Sequence, residues 1–168
     1  MTEATSNIAP VDEKKSTGEK LRYIQFSLGD EDYAIPLLTV REVIPVPETT
    51  PIPNSPSYYC GIMNLRGQVI SIVDLRKKLK LPELENESET AVVIVDLSGV
   101  HIGIIVDSIN KVLTFDQEQM NELPEIDSQI NSEYILGVYR QDTQLTVIID
   151  VAKILDVQDI VQKQEQAS

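Results

Sequence analysis

Two stretches of this chain repeat each other without a gap, which limits the fold to architectures where two small, similar units share one body. Gly61, Ile62, Met63, Val69, Ile72, Val73, Asp74, Lys77 and Leu79 fall on Gly137, Val138, Tyr139, Leu145, Ile148, Ile149, Asp150, Lys153 and Leu155, at a constant shift of 137 − 61 = 76. Ala34, Ile35, Leu37, Val40, Val43 and Ile44 fall on Gly103, Ile104, Val106, Ile109, Val112 and Leu113, at a shift of 103 − 34 = 69. In 168 residues neither unit can bury much apolar surface alone, so the two should pack together and leave a groove between them.

The units read as β structure. Ile24, Phe26 and Leu28 alternate with Tyr23, Gln25 and Ser27, as in a half-buried strand; Gly29-Asp30 turns, and Tyr33-Ala34-Ile35 pairs back. Ile62 to Leu65, the turn Arg66-Gly67 and Val69 to Val73 form a second hairpin, and Asp74 caps the short helix Leu75 to Leu79. Thr90 to Leu97, Ser98-Gly99 and Ile102 to Val106 repeat that grammar. Pro36 followed by Leu37, Val40 and Ile44 predicts a short helix ended by Pro45 and Pro47, with Thr39 and Glu42 on its polar face. A further helical turn is expected at Ser55-Pro56. Short Val/Ile-rich strands with closely spaced turns favour barrels over a parallel sheet.

Outside this core, residues 1–19 are polar and aperiodic and read as a flexible tail, and 158–168 as a polar, Gln-rich tail that frays after a short helix. The acidic runs Glu83 to Glu89 and Asp116 to Glu125 read as exposed linkers.

Composition and motifs exclude several functions. Fourteen Lys+Arg against 27 Asp+Glu give a net charge of −13, so nucleic acid and anionic lipid are repelled. The start lacks a basic flank and an apolar run, and no stretch is long enough to span a bilayer, so a cytoplasmic protein is expected. One cysteine, Cys60, cannot form an internal disulfide or a multi-thiolate metal site and reads as a small apolar residue. His101, the only histidine, reads as an exposed strand residue; there is no G-x-S-x-G turn, no G-x-G-x-x-G and no Walker sequence. Asp30-Glu31-Asp32 lacks the spacing of a calcium loop. Nothing nominates a catalytic residue, a metal or a cofactor.

The repeat also separates scaffold from site. Positions alike in both copies, such as Gly61 with Gly137 and Asp74 with Asp150, serve the shared backbone. Positions that differ are freer to bind. Asn64-Leu65-Arg66-Gly67 falls on Arg140-Gln141-Asp142-Thr143, and Glu42 on Lys111, so Arg66 and Glu42 each meet the opposite charge in the other copy. An arginine held forward at a rigid hairpin turn can fork to a carboxylate or carbonyl of a partner, and the pattern alone equally fits an ordinary surface arginine.

From about Lys20 to Leu155 the sequence resembles the CheW family of chemotaxis coupling proteins. The resemblance rests on Tyr33-Ala34-Ile35 leading to Val40-Arg41-Glu42-Val43-Ile44, on Gly61 to Gly67 with Ile72-Val73-Asp74-Leu75, and on Gly103 to Asp107 with Lys111-Val112-Leu113. It implies two interlocked SH3-like five-stranded β-barrels with short helices, together a CheW-like domain over 20–157. It implies a non-catalytic adaptor that couples the cytoplasmic tip of methyl-accepting chemoreceptors to the regulatory domain of the histidine kinase CheA, recruited from the cytoplasm to membrane-associated arrays. Arg66 and Glu42 inherit partner-binding roles, Asn64, Leu65 and Gly67 belong to the same segment, and Ile105 and Val106 match the strand lining the receptor-facing groove. An accessory scaffold of an array serving pili or gene expression, and a hydrolase with a cryptic carboxylate site, are the alternative readings.

Overall fold

The structure, a computed structural model, describes residues 20–83, 89–122 and 128–167, with side chains to 165. These residues form strands β1 (Lys20–Leu28), β2 (Glu31–Pro36), β3 (Val40–Pro45), β4 (Tyr59–Leu65), β5 (Gln68–Asp74), β6 (Ala91–Leu97), β7 (Val100–Val106), β8 (Ser108–Asp116), β9 (Met120–Asn121), β10 (Ile135–Gln141) and β11 (Gln144–Ile149). Three helices, α1 (Leu75–Lys78), α2 (Val151–Leu155) and α3 (Val157–Ala167), accompany them. The strands make two sheets, ordered β8-β1-β2-β11-β10-β9 and β3-β6-β7-β5-β4.

The strand orders show how the repeats interlock. The first repeat supplies β1 and β2 to one sheet and β3, β4 and β5 to the other; the second supplies β6 and β7, then β8 to β11, the opposite way. The shifts read from sequence hold down to register. The parallel pairs Ser71↔Ile102 and Ile72↔Gly103 map onto Val147↔Tyr33 and Ile148↔Ala34. The bulge between Tyr59 and Gly61 recurs between Ile135 and Gly137. Asp74 accepts the Lys77 N–H at 3.1 Å and Asp150 the Lys153 N–H at 3.1 Å, so both short helices start on the same cap.

Each sheet curls until its edges meet. After β3, Thr50 exchanges two backbone hydrogen bonds with Ile62 on β4, at 2.8 and 3.0 Å. A Cβ on Gly61 would lie 2.3 Å from the Thr50 carbonyl oxygen, so only glycine lets the strand pass so closely. In the other sheet Asn121 pairs with Val138, the position equivalent to Ile62. The two-residue β9 is thus the counterpart of the Thr50 bridge, and it raises that sheet's count from the expected five strands to six.

Three apolar cores result. Ile70, Ile72, Val92 and Ile94 fill one sheet's interior, and Tyr23, Ala34, Leu113, Phe115, Tyr139 and Ile148 the other's, with the Phe115 and Tyr139 rings stacked at 4.1 Å. The largest core lies between the sheets and takes residues from both, including Phe26, Leu28, Tyr33, Val93, Ile102, Ile104 and Val106. Each such side chain contributes about 1.5–3 kcal/mol by leaving water, and this central core is built from both repeats.

Five expectations change. Residues 40–45 are strand, with only a 3₁₀ turn at Leu37–Thr39, because β6 offers a ladder partner; the bulge between Val40 and Glu42 leaves Val40 on the central core and Ile44 on the sheet interior. Ser55-Pro56 begins no helix; Tyr59 N–H closes a turn onto the Pro56 carbonyl. Strand β1 is buried on both faces: Gln25 is 1% exposed and donates to Thr146 Oγ1 at 2.6 Å. The segment expected to fray from 158 is α3, whose Ile160 is fully buried in the central core. The stretch 1–19 and parts of both acidic runs, 84–88 and 123–127, lie outside the described residues. Asp116, expected in a linker, instead ends β8 and faces Lys20 at 3.4 Å.

Candidate functional site

The β4–β5 hairpin closes through the two residues Arg66 and Gly67, at φ 53° and 84°. A two-residue turn with both residues at positive φ matches the strand twist; Gly67 takes that conformation without strain and Arg66 at some cost. Asn64 Oδ1 accepts the Gly67 N–H at 2.9 Å and ties the turn. The same chemistry recurs at Asp96-Leu97-Ser98-Gly99, where Asp96 accepts the Gly99 N–H at 2.8 Å. Asn64 and Gly67 therefore build the platform, and Leu65 packs its half-buried side chain on the sheet's interior core. A Cβ on Gly67 would meet nothing within 4 Å, so glycine is required there by conformation alone.

Curling brings the tip of this hairpin over β3, the opposite edge of the sheet. Arg66 Nη1 donates to Glu42 Oε1 at 2.5 Å and Nη2 to Oε2 at 3.3 Å, a forked pair with Arg66 72% and Glu42 31% exposed. The guanidinium holds the Glu42 carboxyl below the usual carboxylate range. The arginine expected to offer its fork to a partner already spends it on Glu42. A signal for this was present: both residues carry reversed charge in the other repeat, as a salt-bridged pair would if it changed together. Val43, turned to the other face of β3, and Val69, paired opposite Asn64, are each 42% exposed nearby in sequence to the pair.

Ile105 and Val106 part company. Alternation along β7 sends Val106 into the central core, where it is buried, so it is not part of any contact surface. Ile105 is half-buried and lines a cavity of about 240 Å³ with Val46, Leu81, Asp74, Arg76, Lys77, Glu83, Thr90 and Asp107. It shares a row across the sheet with Ile44 and Val92, one step along from the Glu42–Ile94–Gly103 row.

Two single residues are also placed. Cys60 packs half-buried on the sheet interior, and burial, with Asp74 beside it, pushes its thiol pKa up. His101 is half-buried rather than exposed, with Nε2 3.4 Å from Asp96, and Asp96 lies 4.0 Å from Arg41. The Gly99 N–H first, then His101 and Arg41, keep Asp96 below the usual carboxylate range. Among the described residues no cluster of three or more His, Cys, Asp or Glu could hold a metal ion, and no helix is long and apolar enough to cross a membrane.

Residues 22–159 match the family of CheW-like domains. The chain is 34% identical over 146 residues to the chemotaxis protein CheW of Treponema pallidum, covering 84% of this chain and 86% of that one. It is 35% identical over 140 residues to CheW of Bacillus subtilis, covering 83% and 88%. The chain belongs to the CheW family. A crystal structure of the scaffolding protein TtCheW from Thermoanaerobacter tengcongensis superposes with a TM-score of 0.72 at 28% identity, covering 79% of this chain and 90% of that one. CheW proteins are non-catalytic chemotaxis scaffolds, so the hydrolase alternative falls. In this CheW-like domain the hairpin turn, its capping asparagine and the Arg66–Glu42 fork form one exposed constellation, and Ile105 marks a second, concave one.

Proposed function

We propose that this chain is the adaptor that couples chemoreceptors to the histidine kinase CheA. One surface, built on Glu42, Asn64, Leu65, Arg66 and Gly67, docks partner protein, and the Ile105 cavity receives apolar side chains from the helical tip of a receptor. The supporting observation is the Arg66–Glu42 fork: it stands exposed at a strained turn, on a rigid hairpin, at positions where the other repeat carries the reverse charges. The turn conformation itself recurs at Ser98 and Asp142, so what sets this tip apart is the charge of Arg66 and its fork, and a fork already ordered loses little further entropy on docking. The CheA regulatory domain and the receptor tip are the proposed partners. The proposed location is the cytoplasmic side of membrane-associated receptor arrays, with 20–157 as the assembling unit.

The test is co-sedimentation with receptor-containing membranes and, separately, titration with the CheA regulatory domain, comparing the native chain with Arg66→Glu. The variant should lose at least tenfold in affinity for one of the two while its thermal midpoint stays near native. Native affinity for both partners, or unfolding of the variant, would remove Arg66 from the binding surface.

A further inference from the structure

The chain crosses between the sheets at two equivalent places, β2 to β3 and β7 to β8, and among the described residues only the second is pinned by an ion pair. Arg76 on α1 and Asp107 in the β7–β8 crossover have side chains only 9% and 12% exposed. Arg76 Nε donates to Asp107 Oδ1 at 3.1 Å, Nη2 donates to Oδ2, and Nη1 donates to the Pro82 carbonyl. Asp107 Oδ2 also accepts the Gly29 N–H at 2.7 Å, and the Asp107 N–H reaches the Ser27 carbonyl at 3.1 Å. Four pieces of chain meet there: the helix after β5, the linker that follows it, the crossover itself, and the β1–β2 turn of the other sheet.

At the other crossover the shifts of 69 and 76 put Leu38 in the place of Asp107 and Ala152 in the place of Arg76. Leu38 is 99% exposed there and Ala152 is exposed, yet the same strands form in the same register. The repeat is thus a control built into the molecule: the fold closes at that crossover without an ion pair. Taking two charges out of water costs free energy that an apolar pair would not, so the pair at the β7–β8 crossover needs a reason beyond folding. Its position supplies one. Arg76 and Asp107 both line the cavity that Ile105 lines, and Ile105 lies two residues before Asp107.

We propose that Arg76 and Asp107 are positioning residues: their clamp fixes the β7–β8 crossover against α1 and the β1–β2 turn, and so holds the Ile105 cavity in the shape that docks a partner. The inference rests on the coupling function proposed above. The clamp acts through geometry: Arg76 and Asp107 commit their polar groups to each other, to the Pro82 carbonyl and to the Gly29 N–H, and so shape the wall of the cavity they line. Breaking it loosens the crossover, leaves both sheets folded, and lowers affinity at the cavity.

The experiment copies the unpinned crossover into the pinned one. The variant Arg76→Ala/Asp107→Leu is compared with the native chain and with Asp107→Asn, which keeps size and can still accept the Gly29 N–H. Amide exchange is read at Gly29 and at 105–107, and binding by co-sedimentation with receptor-containing membranes. The double variant should unfold cooperatively, exchange at least tenfold faster at these amides than the native chain, and bind at least tenfold more weakly, with Asp107→Asn between. Native-like exchange, native-like binding despite fast exchange, or failure of the double variant to fold would each overturn the proposal. If the native chain itself does not bind, the coupling function fails first, a result distinct from equal binding by native chain and variant.

Discussion

Replacing Gly61 by alanine tests how the five-stranded sheet closes. Gly61 sits at φ 138°, where an L-residue with a side chain is strained by about 1–3 kcal/mol. Its new Cβ would fall 2.3 Å from the Thr50 carbonyl oxygen, a backbone atom that can move only by breaking the Thr50–Ile62 bridge. Losing those two hydrogen bonds costs about 0.5–1.5 kcal/mol each, so the total is about 2–6 kcal/mol. That is a large share of the roughly 5–15 kcal/mol that holds a domain together. Gly67→Ala is the control: its φ of 84° brings backbone strain, but the new Cβ meets nothing. Urea unfolding followed by circular dichroism should therefore place Gly61→Ala about 1–3 kcal/mol below Gly67→Ala, with similar m-values. Equal costs for the two variants would refute closure through Thr50.

Two other consequences can be checked on the isolated chain. Ile160→Ala should lower unfolding stability by about 2–5 kcal/mol, as a fully buried isoleucine does; a change under about 0.5 kcal/mol would mean that α3 does not dock on the core. Glu42 has a depressed folded pKa, so the stabilisation from its pairing is present above the ordinary glutamate pKa and is lost as pH falls through the depressed value. An NMR titration of its carboxyl carbon should give a midpoint below the usual range that returns to ordinary in Arg66→Gln; the same midpoint in both proteins would dissolve the pair.

Much of this architecture is legible because the repeat is gapless. Matching Asp74 with Asp150 locates both helix caps, and matching Gly61 with Gly137 marks two backbone positions of one kind, which were expected as tight turns and are bulges within the strands. The misreadings have local causes. Leu37, Val40 and Ile44 have helical spacing, but they share no face: Leu37 lies in the 3₁₀ turn, and across the Val40/Glu42 bulge Val40 meets the central core and Ile44 the sheet interior. Ile102 to Val106 is apolar throughout, because both faces of β7 are covered, so sequence alternation could not separate Ile105 from Val106. The Glu42–Arg66 contact spans 24 residues and exists only once the sheet curls, although the paired charge reversal hinted at it. In the Gln-rich end, Val157, Ile160 and Val161 form an apolar stripe at helical spacing that polarity concealed. The Arg76–Asp107 clamp has no sequence motif at all; it becomes visible only when its place is compared with Leu38 and Ala152.

Control of the kinase by receptor ligand reads the proposed coupling without an intermediate step. Receptor-containing membranes and the cognate CheA are reconstituted with and without this chain, and phosphate incorporation into the kinase is followed as receptor ligand is added. Kinase activity should respond to ligand only when the chain is present, and Arg66→Glu should abolish most of the response. Full ligand control without the chain would contradict the proposed coupling.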